Sequence, residues 1–385
     1  METKSTQLGA WRINMKVKTI LKADGDILGA TKNFLGRLLK EEIIDYLLVP
    51  QEISHGRSLV QTLVKDPAHL EQANPFSPVM PMNSATIVGQ LTVDKPKKKV
   101  GAVLKPCEIR GLVELVKLGQ ASLENLIILG TDCMGTYEIE EYAKFIAQME
   151  GEEKEKGKKV LAEMRQNIAK PGTESLPISL RPACKVCTFF TPSIENINLS
   201  LFGANDELMI TIESDFVEKL SLLVKETPGH QEAINALMNV RTAVREKAFA
   251  EFREKMKSVN DLADLLSTCI RCYACSSACP ICYCRICFFR TETFEPESDR
   301  YFQWAEEEGA LRMPTEILLY HLTRLNHMAA SCVDCGMCES ACPRHIPLTT
   351  IFEAIGDGVK KALNYIPGRS LEEKIPITTC RETET

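Results

Sequence analysis

Two cysteine runs constrain this chain more than any other feature. The first, CIRCYACSSACP, places Cys269, Cys272, Cys275 and Cys279 ahead of Pro280. The second, CVDCGMCESACP, places Cys332, Cys335, Cys338 and Cys342 ahead of Pro343. Both have the spacing C-x2-C-x2-C-x3-C-P. Soft thiolates at that spacing suit the corners of an iron–sulfur cube: three close cysteines wrap one cluster in a tight loop, and the fourth reaches a neighbouring cluster.

This is the bacterial two-cluster ferredoxin pattern, and it assigns eight ligands. Cys269, Cys272, Cys275 and Cys342 form one 4Fe–4S set, and Cys332, Cys335, Cys338 and Cys279 form the other. The competing reading is a pair of zinc sites. Zinc has no redox chemistry, and four-cysteine zinc sites are usually built from two separated C-x2-C pairs, so two complete runs favour iron.

The chain has 385 residues, room for more than one domain, and its 16 cysteines are far above ordinary usage. The opening METKSTQLGAWRIN has no apolar signal core. No apolar run approaches the roughly 18 residues needed to span a bilayer. Dense cysteine in a reduced, cytoplasmic setting reads as metal binding rather than as a disulfide framework. The net charge of −6 argues against nucleic acid as a partner, and the one tight basic run, Lys97–Lys99, reads as a solvated loop before a strand.

Ahead of the runs, periodicity predicts an α/β domain with a mixed or parallel sheet. Val17–Leu21 alternates like a strand, Ile27–Glu41 has helical spacing, and Ile44–Val49 is a short apolar run, the simplest order being β-α-β. Lys99–Leu104 and Asn125–Leu129 are continuous apolar runs flanking a helix at Glu108–Leu118, as expected of parallel strands covered on both faces. Gly151–Lys159 is charged and reads as an exposed insertion or a helix start. The stretches INLSLFG and ELMITIE read as an antiparallel pair across Gly203–Asp206. Gln231–Lys257 is a long helix leading away from the sheet. A boundary near residue 259 then separates an α/β domain, 1–258, from a largely helical ferredoxin-type domain, 259–385. Within the latter, Pro314–Ala330 is a helix whose His321 and His327 read as surface or packing residues. Cys282, Cys284 and Cys287 read as packing or tuning residues or as a further metal site, and Cys380 as a free thiol in a polar tail.

A third site is less obvious. Cys107 in KPCE and Cys133 in GTDC each follow a predicted strand. If those strands are parallel neighbours, both cysteines lie at the carboxyl edge, where open α/β sheets place ligands. With the C-x2-C pair Cys184 and Cys187 of RPACKVC, they supply four thiolates, enough for a third 4Fe–4S cluster. The alternative is two buried cysteines beside a redox or zinc pair.

KPCE, LGTDC and RPACKVCTFFT, followed by CIRCYACSSACPICYCRICFF and LRMPTEILLYHLTRLNHMAASCVDCGMCESACP, resemble the beta subunits of the coenzyme F420 hydrogenase/dehydrogenase family, in particular those of formate dehydrogenases. The resemblance covers roughly residues 95–370. It implies the third cluster, bound FAD, coenzyme F420 as hydride carrier, and a molybdenum- or tungsten-containing formate dehydrogenase catalytic subunit in a hetero-oligomer. Family members carry a Gly-Gly segment suited to a flavin; the corresponding stretch here is ADGDILGATKNF, with Gly25 and Gly29 in its place. The chain shows no G-x-G-x-x-G after a strand, no P-loop, no catalytic triad and no paired carboxylates in a convincing pocket, so its chemistry belongs to bound cofactors. Two functions follow. One is an electron-transfer subunit passing electrons between the catalytic subunit and FAD, F420 or another carrier. The other is a flavin-free relay linking formate dehydrogenase to heterodisulfide-reductase-like subunits.

Overall fold

The computed structural model describes residues 16–53, 56–169, 176–203, 207–220, 222, 230–282, 284 and 286–376. The first 15 residues, the turn at 204–206 and Cys380 lie outside that set.

Seven strands form one mixed sheet: β1 (Lys16–Lys22), β2 (Tyr46–Ile53), β3 (Ser58–Val64), β4 (Val100–Leu104), β5 (Leu126–Thr131), β6 (Ile197–Ser200) and β7 (Glu207–Glu213). Their spatial order is β1-β7-β6-β5-β4-β2-β3. The central run β2, β4, β5 and β6 is parallel, and the antiparallel pairs β1–β7 and β2–β3 close the two edges. The predicted β6–β7 pair is antiparallel.

Burial of both faces explains why the central strands read as unbroken apolar runs. β4, VGAVL, is buried along its whole length. Val103 of β4 and Leu129 of β5 face one core with Phe34, Leu35 and Leu38 of the Ile27–Lys40 helix. Val100, Ala102 and Leu104, with Ile128, face the opposite core with Val88 of the Ala85–Thr92 helix and Ile109, Leu112 and Leu115 of the Pro106–Lys117 helix. Alternate side chains of a strand point to opposite faces, so one short strand anchors two helical layers.

The structure refines two local expectations. β1 does not adjoin β2: it pairs with β7 at the far edge, so the N-terminal strand, helix and strand are not a compact β-α-β unit. The charged Gly151–Lys159 stretch opens a real helix, Glu153–Ala169, because Val160, Leu161 and Met164 give it one buried stripe.

After the 26-residue His230–Lys255 helix, a separate apolar cluster forms from Leu262, Leu266, Ile281, Phe289, Ile317, Tyr320, Ile351 and Phe352 together with Cys275 and Cys342. The helices Ile317–Met328 and Leu348–Leu363 carry most of it. The two cysteine runs have matching backbones. Arg271 and Asp334, one before the second cysteine of each run, have φ of 54° and 58°. Tyr273 and Gly336, one after it, have φ of 60° and 72°. In both runs a left-handed residue then starts a short helix, Ala274–Ser277 or Met337–Ser340. The repeated spacing therefore folds as a repeated turn.

Candidate metal centres

Strand register decides where Cys107 and Cys133 lie. β4 and β5 are parallel neighbours with Leu104 opposite Gly130, and each cysteine sits three residues beyond its member of that pair. Cys107 occupies the first turn of the Pro106–Lys117 helix. That turn is fixed by Pro106 at its start and by the Glu108 carboxylate, which accepts from the Lys105 N–H at 2.7 Å and from the Ser84 N–H at 2.9 Å. Cys133 is held where its N–H donates to the Phe190 carbonyl at 2.8 Å. The short Pro182–Lys185 helix presents Cys184. Cys107, Cys133, Cys184 and Cys187 line one cavity at the carboxyl edge of the sheet, closed by Lys105, Arg181, Arg241 and Phe189, with Cys335 of the second run at its wall.

Burial dominates the electrostatics of this cavity and raises three of its four thiols, Cys107, Cys133 and Cys187. Burial pushes the Cys107 thiol well up, and pushes Cys187 up to about 12. Burial pushes Cys184 up as well, but Arg181, Thr136 and Arg241 together outweigh it and hold this thiol below its usual range. The Thr136 N–H donates to Cys184 Sγ at 3.3 Å. Arg181 is itself buried; it donates to Thr136 Oγ1 at 2.8 Å and to the Cys335 carbonyl at 3.2 Å. Arg241 donates to the Met134 carbonyl at 2.9 Å. Cations with backbone and hydroxyl partners surround four thiols.

A second cavity is lined by Cys269, Cys272 and Cys275 of the first run and by Cys342 of the second. Cys272 is the exposed member. The Arg271 N–H donates to Cys269 Sγ at 3.4 Å. The cysteines of the other set interact with one another: Cys279 with Cys335, Cys338 with both, and Cys332 with Cys338. Burial is the main influence on each of these four, and it pushes all their thiols up. Cys342 thus lies with the first three cysteines of the first run, and Cys279 lies near Cys335 and Cys338 of the second.

Among the described residues, no three Cys, His, Asp or Glu side chains close on a point small enough for a single metal ion. The thiols line cavity walls instead, the arrangement that the corners of a cube require.

Sequence reasoning missed the residues around the sulfurs. Of the surface and packing readings of His321, packing holds: it is buried, its Nε2 lies 3.4 Å from Cys269 Sγ, and burial together with Arg324 lowers its pKa to about 4. Arg324 is buried against Cys275. The signal for both was present. Ile317, Tyr320, His321, Arg324 and Met328 are the buried residues of this helix, and they fall on one helical stripe, so a histidine and an arginine stand at core positions.

Cys282, Cys284 and Cys287 line an open cavity beside Cys279, with Arg290 and Gln90. Gly25 and Gly29 flank the start of the Ile27–Lys40 helix. Gly25 has φ of 82°. The Gly29 N–H donates to Asp26 Oδ1 at 2.9 Å, and Asp26 also pairs with Lys158 at 3.2 Å. That helix start is already capped by a carboxylate, which opposes an anionic diphosphate at the same place.

Residues 97–212 match the family model for the C terminus of the coenzyme F420 hydrogenase/dehydrogenase beta subunit. This is the family that the cysteine motifs resemble. Residues 264–346 match the 4Fe-4S dicluster domain, so the C-terminal region carries a dicluster domain of the ferredoxin type. The F420-dependent formate dehydrogenase subunit beta of Methanocaldococcus jannaschii is 25% identical over 385 residues, covering 92% of this chain and 97% of the relative. The F420-dependent formate dehydrogenase 1 subunit beta of Methanococcus maripaludis is 26% identical over 296 residues, covering 70% of this chain and 73% of the relative. A chain of the F420-reducing [NiFe] hydrogenase complex from Methanosarcina barkeri overlaps with a TM-score of 0.41 at 15% identity, covering 64% of this chain and 94% of that chain. Among the described residues, no helix is long and apolar enough to cross a membrane.

Proposed function

We propose that this protein is the iron–sulfur electron-transfer subunit of a formate dehydrogenase-like complex, exchanging electrons between a molybdenum- or tungsten-containing catalytic subunit and coenzyme F420 or another carrier. The observation that carries the reading is the convergence of thiols from distant stretches of chain. Cys342 lies in one cavity with Cys269, Cys272 and Cys275, and Cys107, Cys133, Cys184 and Cys187 share another. The relatives named F420-dependent formate dehydrogenase subunit beta support the choice of complex.

In this reading Cys269, Cys272, Cys275 and Cys342 hold one 4Fe–4S cluster. Cys332, Cys335, Cys338 and Cys279 hold a second, and Cys107, Cys133, Cys184 and Cys187 a third. Bound clusters supply one-electron chemistry. The chain's own residues position and insulate them. Cys335 belongs to the second set and also lines the cavity of the third, so the three sets form a continuous series from exposed Cys272 to the sheet edge. Arg181, Arg241 and Lys105 surround the third set with positive charge. We divide the chain near residue 259, because the apolar cluster of the second half begins at Leu262 and draws on no strand of the sheet.

The capped helix start at Asp26 does not fit a flavin diphosphate, and we place no flavin on Gly25 and Gly29. That observation favours a second reading, a flavin-free relay toward heterodisulfide-reductase-like subunits. Anaerobic reconstitution with iron and sulfide, followed by iron, sulfide and flavin analysis, tests both. Formate-driven F420 reduction with the catalytic subunit present supports the first reading. Cluster-loaded protein without flavin or F420 activity supports the second. Stoichiometric zinc without iron overturns both.

A further inference from the structure

Arg324 has an unusual set of partners. Its side chain is buried, with the residue 7% exposed. Nη1 donates to Cys275 Sγ at 3.0 Å, and Nη2 to the Cys275 carbonyl at 3.3 Å. The guanidinium lies 5.0 Å from the Phe352 ring centroid and 5.7 Å from that of Tyr320. Tyr320 Oη stands 3.5 Å from the same Cys275 sulfur. None of these partners is a carboxylate. The acidic side chains that act on Arg324 are Cys275 of the first cysteine set, Cys338 and Cys279 of the second, and the phenol of Tyr320, which burial keeps protonated.

Burying an unpaired guanidinium is costly, and burial is the largest influence disfavouring its charge here. Arg stays charged in proteins, so the cost must be met by fixed negative charge nearby. Neutral thiols do not supply it, whereas thiolate-ligated clusters do. The side chain sits against Cys275 of one set, and Met328, one turn further along the same helix, lies 3.8 Å from Cys279 Sγ of the other, so one cation stands near both centres.

Resting on the cluster reading above, we propose that Arg324 is the counter-cation shared by the two cysteine sets of the dicluster domain, and that it raises the reduction potential of the centre held by Cys275. The potentials of such clusters respond to net charge and to hydrogen bonds on the sulfurs, and Arg324 provides both. One-electron uptake adds negative charge to a centre without making or breaking a protein bond. A fixed cation, and an N–H donated to Sγ, stabilise the more negative state and so favour reduction.

The test is an anaerobic redox titration with mediators on the full, reconstituted chain, followed by electron paramagnetic resonance. Arg324→Gln is expected to lower the reduction equilibrium constant of one dicluster centre by at least tenfold, a shift of about 59 mV to more negative potential for a one-electron couple. Arg324→Lys keeps the charge but loses the fork that bonds Sγ and the carbonyl together, and is expected to shift the same way by less. Arg253→Gln, at an exposed pair with Asp357, serves as the control and is expected to leave both potentials unchanged. If the Gln variant fails to take up iron, the Lys variant decides. Iron-loaded variants with the potentials of the unaltered protein overturn the proposal, and so does loss of iron from both variants, which assigns Arg324 to assembly alone. Unaltered protein that binds no iron and sulfide overturns the cluster reading itself, a distinguishable failure.

Discussion

Arg110 Nη1, on the Pro106–Lys117 helix of the sheet domain, donates at 3.0 Å to the carbonyl of Val333, in the loop of the second cysteine run. Its Nε donates to the Pro367 carbonyl at 2.8 Å, and Asp334 lies 4.0 Å from Nη2. One side chain thus fixes the loop of the second cysteine set against the helix that carries Cys107 in its first turn. Arg110→Ala leaves two buried carbonyls without a donor, each costing about 1–3 kcal/mol. The expected loss of about 2–6 kcal/mol is measurable by urea unfolding of the anaerobic protein.

Gly336 and Ala183 form a second junction, between the second run and the helix that carries Cys184. A Cβ on Gly336 would lie 2.5 Å from Ala183 Cβ, and its φ of 72° disfavours any other residue. Gly336→Ala is expected to cost about 1–3 kcal/mol from backbone strain and, by pushing the Pro182–Lys185 helix away, to weaken iron retention by the third cysteine set. Iron analysis after gel filtration checks this; unchanged iron and stability would refute it.

The third set is separable from the other two. Cys107→Ser or Cys184→Ser is expected to remove about one third of the iron while the dicluster resonance signals persist. Cys342→Ser, which removes a thiol from the cavity of the first run, is expected to abolish a dicluster signal and leave the third set's signal in place. Equal iron in Cys184→Ser and unaltered protein would show that the C-x2-C pair is not a ligand pair.

Asp26 ties sign to pH. Its carboxyl is held below its ordinary value of 3.8, chiefly by the Gly29 N–H it accepts, with Lys158 also lowering it. A lowered value means stability that is present above pH 3.8 and lost as pH falls through the folded value. Asp26→Ala is expected to cost about 1 kcal/mol at neutral pH, as for a lost helix cap. The gap to the unaltered protein should narrow below pH 3.8 in thermal melts, and a gap constant with pH would contradict the assignment.

The dicluster runs and the strand-edge cysteines were legible because spacing alone brings thiols together: two short motifs set the loops, and two apolar strands set the edge. The sheet's margins were not. β3, SLVQTLV, escaped notice because Val60 and Leu63 are 45% and 44% exposed, which blurs the alternation of an edge strand. The partnership of β1 with β7 joins residues nearly 200 apart, and no local pattern encodes so distant a pairing. Arg324 was hidden for a different reason: residue type suggested solvent, whereas its position on the Ile317–Met328 stripe placed it in the core.

The exchange of Cys279 and Cys342 between the two runs bears on biogenesis. In the proposed reading the set completed by Cys279 needs the chain only as far as Cys338, and the other needs it as far as Cys342, so neither cubane can be seated on the first run alone. A product cut between the two runs then lacks both dicluster cubanes and keeps only the strand-edge set.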